Sequence, residues 1–146
     1  MSIQFVDITH SIDAKSQALA LRNEVLRKPL GLKFSSEDIQ RESDQIQLAG
    51  MVDNEVVAIL LLIPLPNNIF KMRQVAVSPR RQNEGIGKAL VKYSENFVRD
   101  KGGVTIELHA RITASKFYID LEYQTDNVIF EEVGIPHIKM WKSLSR

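Results

Sequence analysis

The fold is decided by the stretch Val75-Ala-Val-Ser-Pro-Arg-Arg-Gln-Asn-Glu-Gly-Ile-Gly-Lys-Ala-Leu90. It begins as an apolar strand, passes through a turn and reaches Gly85 and Gly87, which open a helical pattern. The first N–H groups of a helix have no partner inside the helix, and the helix dipole favours anions at that end. Glycines let a phosphate approach these N–H groups closely. Arginine and lysine side chains lie nearby, so the segment is typical of a pyrophosphate-binding turn.

Other interpretations of this turn remain open. The two glycines could serve only the close packing of a plain strand-to-helix turn. A P-loop is excluded, because Lys88 is followed by Ala89 rather than by Ser or Thr. The dinucleotide fingerprint requires a third glycine where this chain has Leu90. An unrelated nucleotide-binding module therefore stays as a weaker alternative.

Upstream of the turn, alternating and helical patterns predict one strand, one or two helices and a three-stranded meander. Pro29 and Gly31 are expected to close the first helix. The expected elements are a strand over Ile3–Thr9, a helix from about Ile12 to Arg27, a short helix or turn at Ser36–Asp38, and strands over Gln45–Val52, Glu55–Leu65 and Phe70–Val77.

Downstream of the turn, a helical apolar stripe runs to Lys101-Gly102-Gly103, which carries helix-stop signals. The strand before Gly85 and the strand after Gly103 are expected to be parallel neighbours joined by a right-handed crossover. The remaining expected elements are a strand over Val104–Ala110 with Val104 on its buried face, a helix capped by Thr113, and strands near Asn127–Glu131 and Pro136–Trp141.

The strand before the glycines changes its parity. Phe70 and Met72 are apolar at even positions, whereas the valines at 75 and 77 are apolar at odd ones. A strand keeps one parity unless an extra residue is inserted. We therefore expect a β-bulge near Arg73–Gln74.

Composition limits the class of protein. The chain has 146 residues, which predicts a single domain over 1–146. Its 19 basic and 18 acidic residues predict no nucleic-acid partner. It has no cysteine, and its three histidines are scattered, so we expect no metal site. The start of the chain has no signal-peptide pattern and the longest apolar run, Val56 to Leu65, is too short for a bilayer, so we expect a cytoplasmic protein without a membrane partner.

The glycine turn resembles the GNAT superfamily of N-acetyltransferases. That family's signature is Gln or Arg, two residues, Gly, one residue, then Gly or Ala, which Gln82–Gly87 matches. The preceding Val75–Pro79 resembles the family's fourth strand. The resemblance implies that acetyl-CoA is the cosubstrate. It also implies binding residues Val75, Ala76 and Val77 for the pantetheine arm, and Gln82, Asn83, Glu84, Gly85, Ile86, Gly87 and Lys88 for the pyrophosphate.

A second motif extends the resemblance towards the C-terminus. Leu108–Tyr123 resembles the family's strand–helix segment through Phe117-Tyr118 and Tyr123, although Glu122 replaces the usual glycine. The ending of the chain resembles that of a small, poorly characterised bacterial subgroup. The resemblance implies an α/β (α+β) fold, with a mixed, mostly antiparallel sheet, flanking helices and a splayed parallel pair of central strands. It also implies that Tyr118 acts as general acid.

The activity implied is transfer of an acetyl or other short acyl group to a primary amine, by direct attack on the thioester. This reaction needs an acceptor for the amine proton. Glu107 and His109 share one strand face. We expect Glu107 as base and His109 as relay, with Glu132 and His137 as the alternative. An ordinary solvated strand face is also compatible with each of these residues.

A non-catalytic acyl-CoA-binding or sensor domain is the alternative function. The sequence leaves the amine acceptor open among polyamines, amino sugars, antibiotics and proteins, and it leaves a homodimer open. Arg22, Arg27 and the loop Pro29–Phe34 are candidates for one wall of the acceptor site, although a solvated face is the more ordinary interpretation of each arginine.

Overall fold

A computed structural model describes residues 2–144. Seven strands and four α-helices follow one another along this part of the chain. They are β1 (Gln4–Asp7), α1 (Ile12–Arg22), α2 (Ser36–Arg41), β2 (Ile46–Val52), β3 (Glu55–Leu65), β4 (Ile69–Val77), α3 (Ile86–Asp100), β5 (Thr105–Arg111), α4 (Ser115–Asp120), β6 (Gln124–Glu132) and β7 (Ile135–Ser143).

The strands form one mixed sheet in the order β1-β2-β3-β4-β5-β7-β6. Strand β4 pairs with β5 in parallel, from Ile69 opposite Thr105 to Met72 opposite Leu108. The pairs β1–β2, β2–β3, β5–β7 and β6–β7 are antiparallel. The predicted mixed, mostly antiparallel sheet and its parallel central pair are therefore confirmed.

The chain forms two compact units. One contains the residues up to Ile63 together with Gln74–Ser94, and the other contains Pro64–Arg73 together with the residues from Glu95 onward. The three boundaries fall inside β3, β4 and α3, which are all continuous elements. The expectation of a single domain over 1–146 stays a prediction.

In the first unit, helix α1 buries a stripe of small and aliphatic side chains. Ser11 caps the helix by accepting a hydrogen bond from the N–H of Ala14 at 3.2 Å. The stripe packs with residues of β2, β3 and β4 in one core cluster: Ala14, Ala18, Leu21, Ala49, Ile59, Leu61 and Ala76.

The end of this first helix differs from the prediction. The α-helix stops at Arg22 and continues as a π-helix over Asn23–Arg27 and a 3₁₀ turn over Lys28–Leu30. Gly31 then leaves the helix with φ of 70°, which a glycine adopts without strain. Single-turn π segments occur frequently at functional sites, and periodicity alone does not reveal them.

In the second unit, the chain passes closely by the end of helix α3 at Gly103. The N–H of Gly103 donates to the carbonyl of Val98 at 2.8 Å. A Cβ at Gly103 would overlap the side chain of Val98 and would lie 2.9 Å from Cδ1 of Phe70. Only glycine therefore fits between the end of α3 and the start of β4.

Strand β5 alternates as predicted, with Ile106, Leu108 and Ala110 buried. Two details are wrong. Val104 precedes the strand and is 43% exposed, instead of joining its buried face. Thr113 does not cap a helix, because it lies in a 3₁₀ turn over Ile112–Ala114 and α4 begins after Ala114 without a side-chain cap.

Strand β4 breaks its regular geometry at the predicted place. Gln74 has φ of 59°, in the left-handed region that non-glycine residues rarely occupy. Before the break, Phe70 lies beside Gly103 and the end of α3, whereas Ala76 belongs to the core cluster of α1. The backbone of β4 is therefore irregular at the predicted place, and the β-bulge near Arg73–Gln74 stays a prediction.

The close approach at Gly103 generates a stability prediction. Gly103→Ala should lower the free energy of unfolding by about 1–3 kcal/mol, because the new methyl group overpacks a core contact. Urea unfolding measures the loss. Val98→Ala removes the overlapping methyl groups, so it should cost less in the Gly103→Ala background than in the wild type. Equal costs in both backgrounds would contradict the assigned overlap.

Candidate active site

The turn after β4 is held by its own backbone and by one side chain. The N–H of Ser78 donates to the carbonyl of Val57 at 2.8 Å, which fixes the end of β4 to β3. The N–H of Arg81 donates to the carbonyl of Ser78 at 2.9 Å. Nε2 of Gln82 donates to the carbonyl of Val77 at 3.0 Å. In this structure the side chain of Gln82 therefore closes the turn.

The chain enters helix α3 through two left-handed residues, Asn83 with φ of 65° and Gly85 with φ of 77°. The carbonyl of Gly85 accepts the N–H of Ala89 at 3.0 Å, so the helix ladder starts there. No heavy atom beyond its chain neighbours lies within 4 Å of a Cβ placed on Gly85. The space beside Gly85 is therefore open at the start of α3, where the first N–H groups of a helix have no partner within the helix.

Cations surround this helix end in weak ion pairs. Arg81 lies 3.7 Å from the carboxylate of Glu84, and Arg80 lies 3.9 Å from that of Glu24. Lys88 is exposed on the first turn of α3. Exposed ion pairs contribute little free energy, so these cations can turn towards an anion at small cost.

Tyr118 is buried in α4 with 7% of its surface exposed. Its ring lies edge-on to Phe117 at 4.9 Å and to Tyr123 at 5.7 Å between centroids. Burial raises the pKa of the Tyr118 phenol above its ordinary value of 10.0. The phenol is therefore protonated at neutral pH, which is the state that a proton donor needs.

Glu107 lies on the half-exposed face of β5, as predicted. Its carboxylate is 3.4 Å from Nζ of Lys139 on the neighbouring strand β7. Glu107 thus forms an ion pair with a lysine across the β5–β7 pair.

His109 contacts a residue of the alternative set. In the sequence, Glu107 and His109 form one candidate set, and Glu132 and His137 form another. Its Nδ1 lies 2.8 Å from a carboxylate oxygen of Glu132, and Nε2 of His137 lies 3.8 Å from the other oxygen. The ring of Phe130 lies edge-on to His109 at 5.0 Å and stacks on His137 at 6.1 Å. The register of β5–β7–β6 makes this cluster, because Phe130 lies opposite His137.

The partners of Glu132 set its charge. Burial alone would raise the pKa of this carboxyl group, but the hydrogen bond with His109 and the charges of His109, His137 and Lys71 outweigh it. The pKa of Glu132 is therefore lowered from 4.5. A charged carboxylate accepts the Nδ1–H of His109, which leaves Nε2 of that ring as the proton-accepting atom.

The residues expected at an acceptor wall are already engaged with one another. Arg22 forms a buried ion pair with Glu42, with N–O distances of 2.7 Å, and its guanidinium lies 4.5 Å from the ring centre of Phe34. The guanidinium of Arg27 lies 4.6 Å from the same ring. The N–H of Phe34 donates to Oδ1 of Asn23 at 2.9 Å. Arg22 is thus part of the packing rather than of a solvated face.

The fold is shared with solved N-acetyltransferases. A structure from Lactobacillus plantarum, whose assignment as an N-acetyltransferase is itself provisional, superposes with a TM-score of 0.89 at 21% identity, over 99% of this chain and 100% of that one. An aminoglycoside 6'-N-acetyltransferase complexed with coenzyme A superposes with a TM-score of 0.79 at 21% identity, over 100% of this chain and 98% of that one.

The profile of the acetyltransferase (GNAT) domain matches residues 15–144. The chain therefore belongs to the GNAT acetyltransferase family. The uncharacterized protein YyaT of Bacillus subtilis is 34% identical over 76 residues, which are 52% of this chain and 51% of that protein. The alignments thus span about half the length of the curated relatives that the chain matches.

Two features are absent from the described part of the chain, residues 2–144. No set of three or more His, Cys, Asp or Glu side chains there is arranged to hold a metal ion. No helix there is both long and apolar enough to cross a membrane.

The lowered pKa of Glu132 predicts a pH-dependent contribution to stability. Because the folded-state pKa lies below 4.5, the charged carboxylate stabilises the fold above that pH, and this contribution is lost as pH falls through the folded pKa. Glu132→Gln should therefore lower the Tm at roughly pH 7, and the difference from wild type should shrink towards roughly pH 3. Thermal unfolding at both pH values measures this.

Glu131→Gln is the matched control, because it removes the same charge from the exposed neighbouring position. We expect it to change the Tm little at either pH. An unchanged gap between Glu132→Gln and wild type at both pH values would show that the charge of Glu132 does not stabilise the fold.

Proposed function

We propose that this GNAT family member transfers an acetyl or other short acyl group from acyl-CoA to a primary amine. The observation that carries the proposal is the start of helix α3, where left-handed Gly85 has open space beside it and three cations lie nearby in the sequence. Acyl-CoA supplies an activated thioester, and the chain contributes positioning and proton transfer.

The anion site would be held mainly by backbone atoms. The N–H groups of the first turn of α3, between Gly85 and Lys88, would bind the pyrophosphate, with charge added by Lys88, Arg80 and Arg81. Val75–Val77 would pair with the pantetheine arm. The open space around Gly85 supports this fit, because any side chain there would stand in front of the helix end.

Gly85→Val should abolish detectable acetyl-CoA binding in calorimetry, because the side chain fills the space in front of the N–H groups. Valine at a left-handed position also strains the backbone. Gly102→Val is the matched control, since Gly102 has φ of +83° and equally open surroundings at the other end of α3. Normal binding by folded Gly85→Val, or equal loss in both variants, would contradict the assignment.

Tyr118 is proposed as general acid for the leaving thiolate. The CoA sulfur develops negative charge as the thioester bond breaks. A neutral phenol beside it would lower the barrier to acyl transfer by donating a proton to that sulfur. Burial raises the pKa of Tyr118, so the phenol is neutral before the reaction and would donate its proton only once negative charge develops on the sulfur. Its packing between Phe117 and Tyr123 would also fix its direction.

Tyr118→Phe keeps the ring packing and removes only the hydroxyl. It should fold, bind acetyl-CoA with wild-type affinity and show a kcat lower by about 10²–10⁴-fold. Steady-state kinetics with a working amine, beside calorimetry, separates the two effects. If the variant shows no pre-steady-state burst, chemistry limits its rate. A wild-type kcat in that case would remove Tyr118 from the mechanism.

His109 is proposed as the base, oriented by Glu132, and Glu107 is kept as the competitor. Glu132 accepts the Nδ1–H of His109 at 2.8 Å, which fixes the ring and leaves Nε2 as its free nitrogen. Glu107 has its ammonium partner Lys139 instead. The structure therefore favours the histidine, in contrast to the order expected from the sequence.

His109→Gln should lower kcat/KM by roughly 10²-fold and abolish the acidic limb of its pH profile, since general base catalysis is worth at least that much. Glu107→Gln should keep both the limb and most of the rate. The pH profiles of the two variants with one acceptor decide between them. If Glu107→Gln loses the limb and His109→Gln retains it, Glu107 is the base.

A non-catalytic acyl-CoA sensor is the second candidate function. The left-handed turn would bind acyl-CoA equally well in a sensor, so binding alone does not separate the two. Release of free CoA thiol from acetyl-CoA in the presence of a panel of polyamines, amino sugars, aminoglycosides and peptides does. Tight binding without thiol release for any amine would favour the sensor.

A further inference from the structure

Gln74 occupies an unfavourable backbone conformation in the middle of β4. The pairing of β4 with β5 runs to Met72, and Gln74 follows with φ of 59°. In this region the side chain of an L-residue crowds its own backbone, so the conformation persists only where the surroundings impose it. Residues of this kind cluster at binding and catalytic sites.

The side chain of Gln74 adds a second cost at the same position. Its Oε1 is buried, and within the part of the chain that the structure describes no donor lies at hydrogen-bond distance from it. A buried carbonyl oxygen without a donor loses its hydration and gains nothing in return. Backbone strain and an unsatisfied oxygen therefore coincide in one residue.

The position of Gln74 indicates where the missing donor comes from. The residue directly precedes Val75–Val77, the segment assigned above to the pantetheine arm. Its side chain is half-buried, and the terminal torsion of a glutamine is soft, so a small rotation presents Oε1 to a ligand. Bound substrates would carry two kinds of N–H donor to this strand, the amides of pantetheine and the attacking amine.

We propose that Oε1 of Gln74 accepts a hydrogen bond from an N–H group of a bound substrate and so positions it against β4. The proposal rests on the acyl-CoA-dependent function above and adds a positioning residue to it. The free protein keeps both the backbone strain at Gln74 and its unsatisfied oxygen. A bound substrate would supply the missing hydrogen bond to that oxygen.

Gln74→Met is the test, because methionine keeps the length and the unbranched shape of the side chain and removes its polar atoms. The Tm of the free protein should stay equal or rise, since an unsatisfied buried oxygen is lost. Function should fall in the same variant. A purely structural glutamine would behave in the opposite way, with a lowered Tm or a failure to fold, and either result would overturn the proposal.

Two measurements distinguish the two donors. If a pantetheine amide is the donor, Gln74→Met weakens acetyl-CoA binding in calorimetry by about 2–10-fold and leaves the KM of the amine unchanged. If the attacking amine is the donor, acetyl-CoA binding is unchanged and kcat/KM for the amine falls by roughly 10–100-fold, because hydrogen bonds to charged groups are stronger.

Gln74→Glu tests further whether the attacking amine, rather than a pantetheine amide, is the donor. A carboxylate holds the ammonium form more tightly, so both KM and kcat should fall at neutral pH, and kcat should recover as pH rises. This split between KM and kcat would not arise from a structural defect.

Gln47→Met is the matched control, because Oε1 of Gln47 is also buried without a donor among residues 2–144. Gln47 lines a separate cavity of about 140 Å³ together with Lys15 and Glu42. The variant should raise the Tm in the same way and leave kinetics unchanged. Equal kinetic losses in both variants would overturn the proposal.

If wild type is active and Gln74→Met has unchanged binding and kinetics, water alone satisfies the Gln74 oxygen. The proposed positioning role of Gln74 would then be wrong, while the proposed function would stand. If wild type neither binds acetyl-CoA nor releases CoA thiol, the proposed function fails, and the role of Gln74 falls with it.

Discussion

One backbone conformation, the left-handed Gln74 in β4, sets the arrangement that the rest of the fold depends on. Up to Met72 the strand pairs in parallel with β5. After Gln74 its side chains change partners, so that Ala76 packs with helix α1 while Phe70 packs at the end of α3. One of the boundaries between the two compact units falls at the same point, between residues 73 and 74. Without this irregularity, the same alternation of side chains would continue to the end of β4. Its last residues would then face the opposite side of the sheet.

The electrostatics of the first unit divide into fixed and adjustable pairs. The Arg22–Glu42 pair is buried with 2.7 Å contacts, and breaking a pair of this kind leaves an uncompensated charge that costs about 3–5 kcal/mol. The Arg80 pair is exposed and the Arg81 pair is partly exposed, with N–O distances of 3.9 and 3.7 Å, and ion pairs at the surface contribute about 0–1 kcal/mol. An anion at the start of α3 can therefore recruit the second set without disturbing the first.

Periodicity predicted the strands, the parallel pair and the break in β4, because each follows from local patterns and from the handedness of crossovers. It missed the π-helix after Arg22 and the uncapped start of α4, where tertiary packing overrides local preference. It also missed the contact of His109 with Glu132. That contact depends on β7 lying between β5 and β6, and the order of strands distant in sequence is not encoded in the pattern of either strand.

Two of the candidate residues in the second unit, Tyr118 and Glu132, lie in surroundings of opposite character. Tyr118 lies against the aromatic rings of Phe117 and Tyr123, and burial there raises its pKa and keeps the phenol neutral. The face of β5, β7 and β6 surrounds Glu132 with basic groups, which overcome the effect of burial and preserve a negative charge. Groups whose surroundings push their pKa values apart are suited to opposite proton transfers. At neutral pH the first setting therefore keeps Tyr118 uncharged, and the second keeps Glu132 negatively charged.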